Sequence, residues 1–197
     1  MEFFTERGER FEWKLYSYDE PTDLPARLAT HGFSADEPET LVLGETSALR
    51  HDVVVPTGVR LRQVDSDEDL ARIDTLMAAI WPGHGAGMLR RDLRADPESL
   101  DVLVAEESPD GPVLCAGWVR YPRSHGFAGL WGGSTLPEWR GRGLYRATVA
   151  HRAVLAEERG YRFVRVDCSD DSRPILESLG LEGVCGTWPF HRDPVRN

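Results

Sequence analysis

Residues 130–146 read Leu-Trp-Gly-Gly-Ser-Thr-Leu-Pro-Glu-Trp-Arg-Gly-Arg-Gly-Leu-Tyr-Arg, and they constrain the chain more than any other stretch. A strand is predicted from Gly126 to Leu136, and Pro137 stops it because proline has no N–H to give to a ladder. Arg140, Gly141, Arg142 and Gly143 make a basic, glycine-rich turn, and a helix is predicted from Leu144 to Gly160. Strand, turn and helix N-terminus together form an anion site, because unpaired amides and the positive end of the helix dipole point outward from one place. The arginines add charge and forked donors. Taken alone, the loop also fits a plainer reading, an ordinary turn that carries arginines.

Two familiar phosphate-binding fingerprints fail here. The Walker-type loop closes on Gly-Lys-Ser/Thr, and Lys14 is the only lysine in the chain. The dinucleotide pattern Gly-x-Gly-x-x-Gly fails because Arg146 stands in the third-glycine place. The pattern Arg/Gln-x-x-Gly-x-Gly/Ala does fit, with Arg140 and Gly143 in place, so the stretch resembles the acyl-CoA pyrophosphate loop of the GNAT superfamily of N-acetyltransferases. Tyr145 departs from the last, small position of that pattern; its side chain is expected to point outward from the first helical turn.

With 197 residues and 41% hydrophobic content, the chain can bury a sizeable core. A net charge of −10 argues against nonspecific nucleic-acid binding and suits a cationic acceptor. No apolar run approaches membrane-spanning length and none reads as a signal peptide, so a cytoplasmic protein is expected. Cys115, Cys168 and Cys185 are odd in number and lie in apolar contexts, so they read as reduced core residues and no metal site is expected. The near-total replacement of Lys by Arg suggests a high-GC bacterial genome.

In chain order, residues 11–18 read as a strand, followed by a helix with Asp23 as N-cap and Gly32 at its end, then a strand at Leu41–Leu43. The chain closes in the same way. Residues 163–168 are a strand, Ser172 caps a helix with Pro174 in its first turn, and residues 184–190 are a last strand, with Trp188 to His191 read as edge-strand packing. This similarity is a faint internal repeat or a coincidence of common elements.

Between them, Val59–Val64 is a strand, and Ser66-x-x-Asp69 opens a helix with Leu70, Ile73, Met77 and Ile80 at helical spacing. Residues 81–87 break that helix, and 88–95 form a short second one. Strands at 100–106 and 113–121 flank a Ser108–Gly111 hairpin turn. The order from Val59 is that of the GNAT fold, over roughly residues 59–192.

The resemblance implies an α/β (α+β) chain: a GNAT fold with a mixed, mostly antiparallel central sheet flanked by helices. Residues 1–50 would be a strand-helix-strand extension, a degenerate second half of a tandem enzyme. It implies that the strand before the loop splays from its neighbour, so that its backbone at Ser134, Thr135 and Leu136 pairs with the pantetheine arm of acetyl-CoA. The amides of Arg140, Gly141, Arg142, Gly143, Leu144, Tyr145 and Arg146 would hold the pyrophosphate, with Ser172 at a small position of the family's second motif. Leu176 stands where that motif usually carries a tyrosine acid.

Asp167 shares a face with Arg165 and is the first candidate for the base, against a competing reading as an Arg165–Asp167 pair or a helix cap. Glu106 and His84 are weaker candidates, and Trp118 and Trp131 read as core or cleft wall. The expected activity is acetyl transfer from acetyl-CoA to a small-molecule amine, with no nucleic-acid or membrane partner and a homodimer left open. The alternatives are a silent acyl-CoA-binding module and a protein-interaction domain.

Overall fold

A computed structural model describes residues 10–49, 54–81 and 85–193. In chain order the elements are β1 (Phe11–Tyr16), α1 (Leu24–Thr30), β2 (Ser34–Ala35), β3 (Glu39–Glu45), β4 (Arg60–Val64), α2 (Asp67–Ile80), α3 (Gly87–Ala95), β5 (Leu100–Glu106), β6 (Val113–Arg120), β7 (Phe127–Thr135), α4 (Leu144–Glu158), β8 (Phe163–Cys168), α5 (Arg173–Ser178) and β9 (Glu182–Arg192). No described helix is long and apolar enough to cross a membrane. The chain divides into two compact units, the larger from Leu43–Val166 with Ser178–Leu181, the smaller from the described parts of Met1–Val42, Asp167–Glu177 and Glu182–Asn197.

The larger unit holds the sheet order β8-β7-β6-β5-β4. β4, β5, β6 and β7 pair antiparallel, and only β7 with β8 is parallel, which is the expected mixed, mostly antiparallel sheet. Helix α2 begins where the sequence places it, with Ser66 Oγ accepting the Asp69 amide at 3.1 Å and an acidic first turn at the positive end of the dipole. Leu70, Ile73 and Leu76 follow at helical spacing and pack with Leu89 of α3 on Val102, Val104 and Ala116 of the sheet. Burial of one such side chain contributes about 2 kcal/mol. Helix α4 starts with Leu144, which packs on Ala105, Leu114 and Cys115.

One end of this unit carries a buried ionic network. Glu106 is fully buried. Its Oε1 accepts from Arg60 Nη2 and Arg62 Nε, both at 2.8 Å, and its Oε2 from Arg72 Nη2 at 2.6 Å. Asp69 accepts from Arg62 at 2.6 Å and Arg72 at 2.9 Å. Burial by itself raises the pKa of Glu106, but the three guanidiniums outweigh it and hold the carboxyl at about 2. A carboxylate so tightly held makes a poor proton acceptor, so Glu106 is corrected from base candidate to structural anchor.

In the smaller unit β9 is flanked on both sides. β1 pairs with it from Phe11↔Arg192 to Tyr16↔Thr187, while β2 takes Phe190 and His191 on the other side, with β3 also next to β9. Trp188 to His191 therefore belong to an interior strand and not to an edge. Pro189 is tolerated there because it lacks only a donor; its carbonyl accepts the Asp36 amide at 2.8 Å. Leu15, Leu28, Phe33 and Phe190 form the core of this unit. Gly32 takes φ 79° after α1, the left-handed close that the sequence predicts. Asp23 stands at the N-cap position but makes no capping bond; Arg27 Nε donates to its carboxylate at 2.8 Å instead.

The pKa of Glu106 lies below its unfolded value near 4.3, so its contribution is fully present above that value and is lost as pH falls through about 2. Glu106→Gln should remove about 3 kcal/mol at pH 7, because three guanidiniums then lose their counter-charge. Urea denaturation at pH 7 and at pH 3 checks this: the gap between parent and variant should narrow at the lower pH.

Candidate active site

The site is built around a break in β7. The β6–β7 register runs Arg120↔Gly129, Val119↔Leu130 and Trp118↔Trp131, then resumes one residue out of step at Ala116↔Ser134 and Cys115↔Thr135. Gly132 and Gly133 thus oppose Gly117 alone, a β-bulge, and Gly132 takes φ 66°. Glycine is required at this position twice over. The backbone conformation is left-handed, and a Cβ on Gly132 would fall 2.0 Å from Cζ3 of Trp118. On the opposite face, a Cβ on Gly133 would fall 2.4 Å from Cε2 of Tyr145. Tyr145 is therefore folded inward against β7, half-buried, which corrects the expectation that it points away.

Arg152 of α4 locks the bulge from below. It is 1% exposed. Its Nη1 donates to the carbonyls of Trp131 at 2.9 Å and Trp118 at 3.2 Å, and its Nε to the carbonyl of Thr148 at 3.0 Å. A Cβ on Gly117 would lie 2.7 Å from the same Nη1, so the third glycine makes room for the guanidinium. Burial lowers the Arg152 pKa, yet a guanidinium stays charged in a protein. The sequence carries signals for this arrangement: Gly132-Gly133 inside a strand marks a bulge, and Arg152 follows Thr148 by four residues on the buried face of α4. Neither the bulge nor Arg152 is among the expectations drawn from the sequence.

Beyond the bulge β7 is open on one side. It pairs with β8 only at Phe127↔Phe163, Ala128↔Val164 and Gly129↔Arg165. From Leu130 to Thr135 it has no described strand partner toward β8. The hydroxyls of Ser134 and Thr135 face the protein: Ser134 Oγ accepts Trp81 Nε1 at 3.1 Å, and Thr135 Oγ1 donates to Cys115 Sγ at 3.2 Å. What these residues offer a ligand is backbone. Leu136 already gives its amide to Leu114 at 2.9 Å.

The strand leads through a short 3-10 turn at Pro137–Trp139 into the loop. Gly141 and Gly143 take φ 73° and 84°, and a Cβ on either would meet nothing within 4 Å. Among the described residues no backbone acceptor takes the amides of Gly141, Arg142, Gly143 or Leu144; the first to turn back into the helix is Ala147, to Gly143 at 2.9 Å. Successive free amides next to left-handed glycines form an anion-binding concavity. The arginines are held in part: Arg140 Nε donates to the Thr135 carbonyl at 3.3 Å, the Arg142 guanidinium lies 4.6 Å over the Trp139 ring, and Arg146 Nη1 donates to Ser178 at 2.6 Å.

The remaining candidates are placed as follows. Along β8, Val164, Val166 and Cys168 are buried while Arg165 and Asp167 are half-buried, the predicted alternation. Among the described residues Arg165 has no ion pair, so the Arg165–Asp167 pair does not form. In the smaller unit, Asp167 Oδ1 accepts from Thr187 at 3.4 Å. Ser172 Oγ donates to the Ser169 carbonyl at 3.2 Å, the Ser172 carbonyl accepts the amides of Ile175 and Leu176 at the start of α5, both at 3.1 Å, and Leu176 is fully buried. His84 lies outside the described residues. Trp131 is 41% exposed, and Trp118 packs against the α2–α3 core.

The two kinds of left-handed glycine make different predictions. Gly143→Ala should cost about 1 kcal/mol, from backbone strain alone. Gly132→Ala should cost about 3 kcal/mol, because overpacking against Trp118 adds to that strain. Denaturant midpoints of the two variants check this, and equal costs would show that Trp118 does not hold the bulge.

No protein-family profile matches the chain, and no curated protein matches it. Solved structures do. A GCN5-related N-acetyltransferase from Kribbella flavida superposes with a TM-score of 0.71 at 18% identity, covering 99% of this chain and 72% of that one. One from Sphaerobacter thermophilus gives 0.67 at 16% identity, covering 95% and 61%, so this chain spans about three fifths of that protein. A tandem GNAT protein from the clavulanic acid biosynthesis pathway gives 0.58 at 16%, covering 95% and 65%. The chain has the fold of the GCN5-related N-acetyltransferases.

Proposed function

We propose that this protein is a GNAT-superfamily N-acetyltransferase that moves an acetyl group from acetyl-CoA to the amine of a small molecule. The observation that carries this reading is the open edge of β7, which runs past Gly129 without a strand partner and ends at the Gly141–Gly143 loop. An extended, amide-rich ligand tail with an anionic end fits that pairing of features: strand-like hydrogen bonds along β7, then free amides and a helix N-terminus. Acetyl-CoA, when bound, supplies the acetyl group as an activated thioester.

Each residue has a stated task. The amides of Gly141, Arg142, Gly143 and Leu144, with those of Tyr145 and Arg146, hold the pyrophosphate; the Arg140 amide is given to the Pro137 carbonyl, so Arg140 contributes its charge. The backbone of Ser134 and Thr135 orients the arm, while Leu136, whose amide and carbonyl are taken by Leu114 and Trp139, ends that edge, and β7 amides at the bulge polarise the thioester carbonyl. Ser172 is carried over as a cofactor contact from the family's pattern. Asp167 accepts the proton that an ammonium acceptor must lose before its nitrogen can attack. With a thiol pKa near 8.5 and an alkyl ammonium near 10.4, proton removal is the heavier demand, and the thiolate leaves with its electron pair largely unaided. We read residues 1–50 as the degenerate second half of a tandem arrangement, and the protein as cytoplasmic.

Leu176, buried where the family usually places an acid, favours a second reading, an acyl-CoA-binding module without turnover. One experiment separates them. Acetyl-CoA at about 100 times its dissociation constant should stabilise the fold by about 2.7 kcal/mol, and replacing Gly143 by Val should abolish most of that shift. Free thiol should then appear with a panel of amines, at a rate rising with pH. Asp167→Asn should lower kcat by about 10²-fold or more and leave the CoA stabilisation unchanged. Stabilisation without thiol release from any amine selects the silent module; no stabilisation rejects both readings.

A further inference from the structure

Resting on the acetyltransferase reading, a second site lies beside the bulge. Gly129 and Arg165 are directly paired across β7 and β8 and so point to the same face of the sheet. Over the absent side chain of Gly129 two donors converge. Trp131 Nε1 lies 2.8 Å, and Arg165 Nε 3.9 Å, from where a Cβ on Gly129 would stand. Among the described residues neither the indole N–H nor the guanidinium has a hydrogen-bond acceptor. A half-buried guanidinium without a counter-ion is costly to keep, and every other arginine of the sheet strands β4, β6 and β8 is ion-paired: Arg60 and Arg62 hold Glu106, and Arg120 holds Asp92.

The surroundings are aromatic. Trp118 is the cross-strand partner of Trp131, and the Trp81 indole, 52% exposed, reaches Ser134 on the same strand. We infer that Arg165 and Trp131 form a carboxylate-binding subsite, so that the acceptor is an amine that also carries a carboxylate on an aromatic or apolar skeleton. Two donors over a glycine floor match the two oxygens of one carboxylate, and the indole faces take the skeleton. An acceptor that is purely cationic would meet the uncompensated Arg165 charge. The net charge of −10 on its own suggests such a cation; the local donors decide the matter in the other direction.

The test pairs acceptors that differ only by the carboxylate: phenylalanine against phenethylamine, tryptophan against tryptamine, and 5-aminopentanoate against butylamine, each with acetyl-CoA. At least one carboxylated member should show a kcat/KM about tenfold or more above its partner, as the gain of a charge-assisted pair implies. Arg165→Gln should erase that preference through KM with kcat nearly unchanged, Arg165→Lys should restore part of it, and the decarboxylated amines should be insensitive to both changes. Equal or better turnover of the decarboxylated members, or an equal loss for both classes in Arg165→Gln, overturns the proposal. Binding of phenylacetate, followed by tryptophan fluorescence, judges the subsite without turnover. Binding that is lost in Arg165→Gln and weakened in Trp131→Phe sustains it even if no amine is acetylated, in which case only the transferase reading fails. No binding to the parent, or equal binding to Arg165→Gln, overturns the subsite whatever the activity.

Discussion

The packing of Trp118 against Gly132, with Arg152 gripping the carbonyls of Trp118 and Trp131 from the other face, is the constraint on which the site depends. A strand paired on both sides has no amides to offer. The bulge shifts β7 by one residue relative to β6, and β7 runs free of β8 from Leu130 onward. Each of the two carbonyls faces the fully buried Arg152 guanidinium and would be costly to leave there without a donor. A single guanidinium serves both, and its fork cannot be replaced by an ammonium without losing geometry. The three glycines 117, 132 and 133 accommodate a guanidinium, an indole and a phenol ring in turn.

From that break the chain runs directly to the loop, so one stretch of backbone delivers both surfaces that the proposed cosubstrate needs. The rest of the larger unit keeps this stretch still. The Leu70–Ile73–Leu76 face of α2 backs the sheet, and Leu144 seats the start of α4 on Ala105 and Cys115. The network of Arg60, Arg62, Arg72, Asp69 and Glu106 ties β4, α2 and β5 together. Ion pairs of this kind contribute specificity of arrangement as much as net energy.

Local chemistry made much of the fold legible. The Ser66 cap, the Ser108–Gly111 turn, the Gly32 helix end and the glycine-rich turn at 140–143 each depend on a few neighbouring residues, and each stands as read, with Gly141 and Gly143 found left-handed. What depends on distant partners was not legible. Pro189 looked like an edge residue because proline lacks a donor, yet β9 has neighbours on both sides and uses the Pro189 carbonyl. Tyr145 turns inward because Gly133, twelve residues earlier, leaves it room. Glu106 resembled an available base until three arginines from β4 and α2 surrounded it. Arg152 serves carbonyls of β6 and β7 that lie 34 and 21 residues away in the chain. The loop was the part of the candidate site that was legible, since its proposed role rests on left-handed backbone that glycine readily adopts.

On the proposed reading, the open edge of β7 and the glycine loop receive one extended ligand. Backbone hydrogen exchange, read residue by residue with and without acetyl-CoA, tests it directly. At about 100 times the dissociation constant, ligand blocking should slow exchange by about 100-fold at bulge and edge amides within Leu130–Thr135 and at Gly141–Leu144, which exchange without global unfolding. Exchange that stays the same along β7 and the loop, while the protein demonstrably binds acetyl-CoA, would contradict the account.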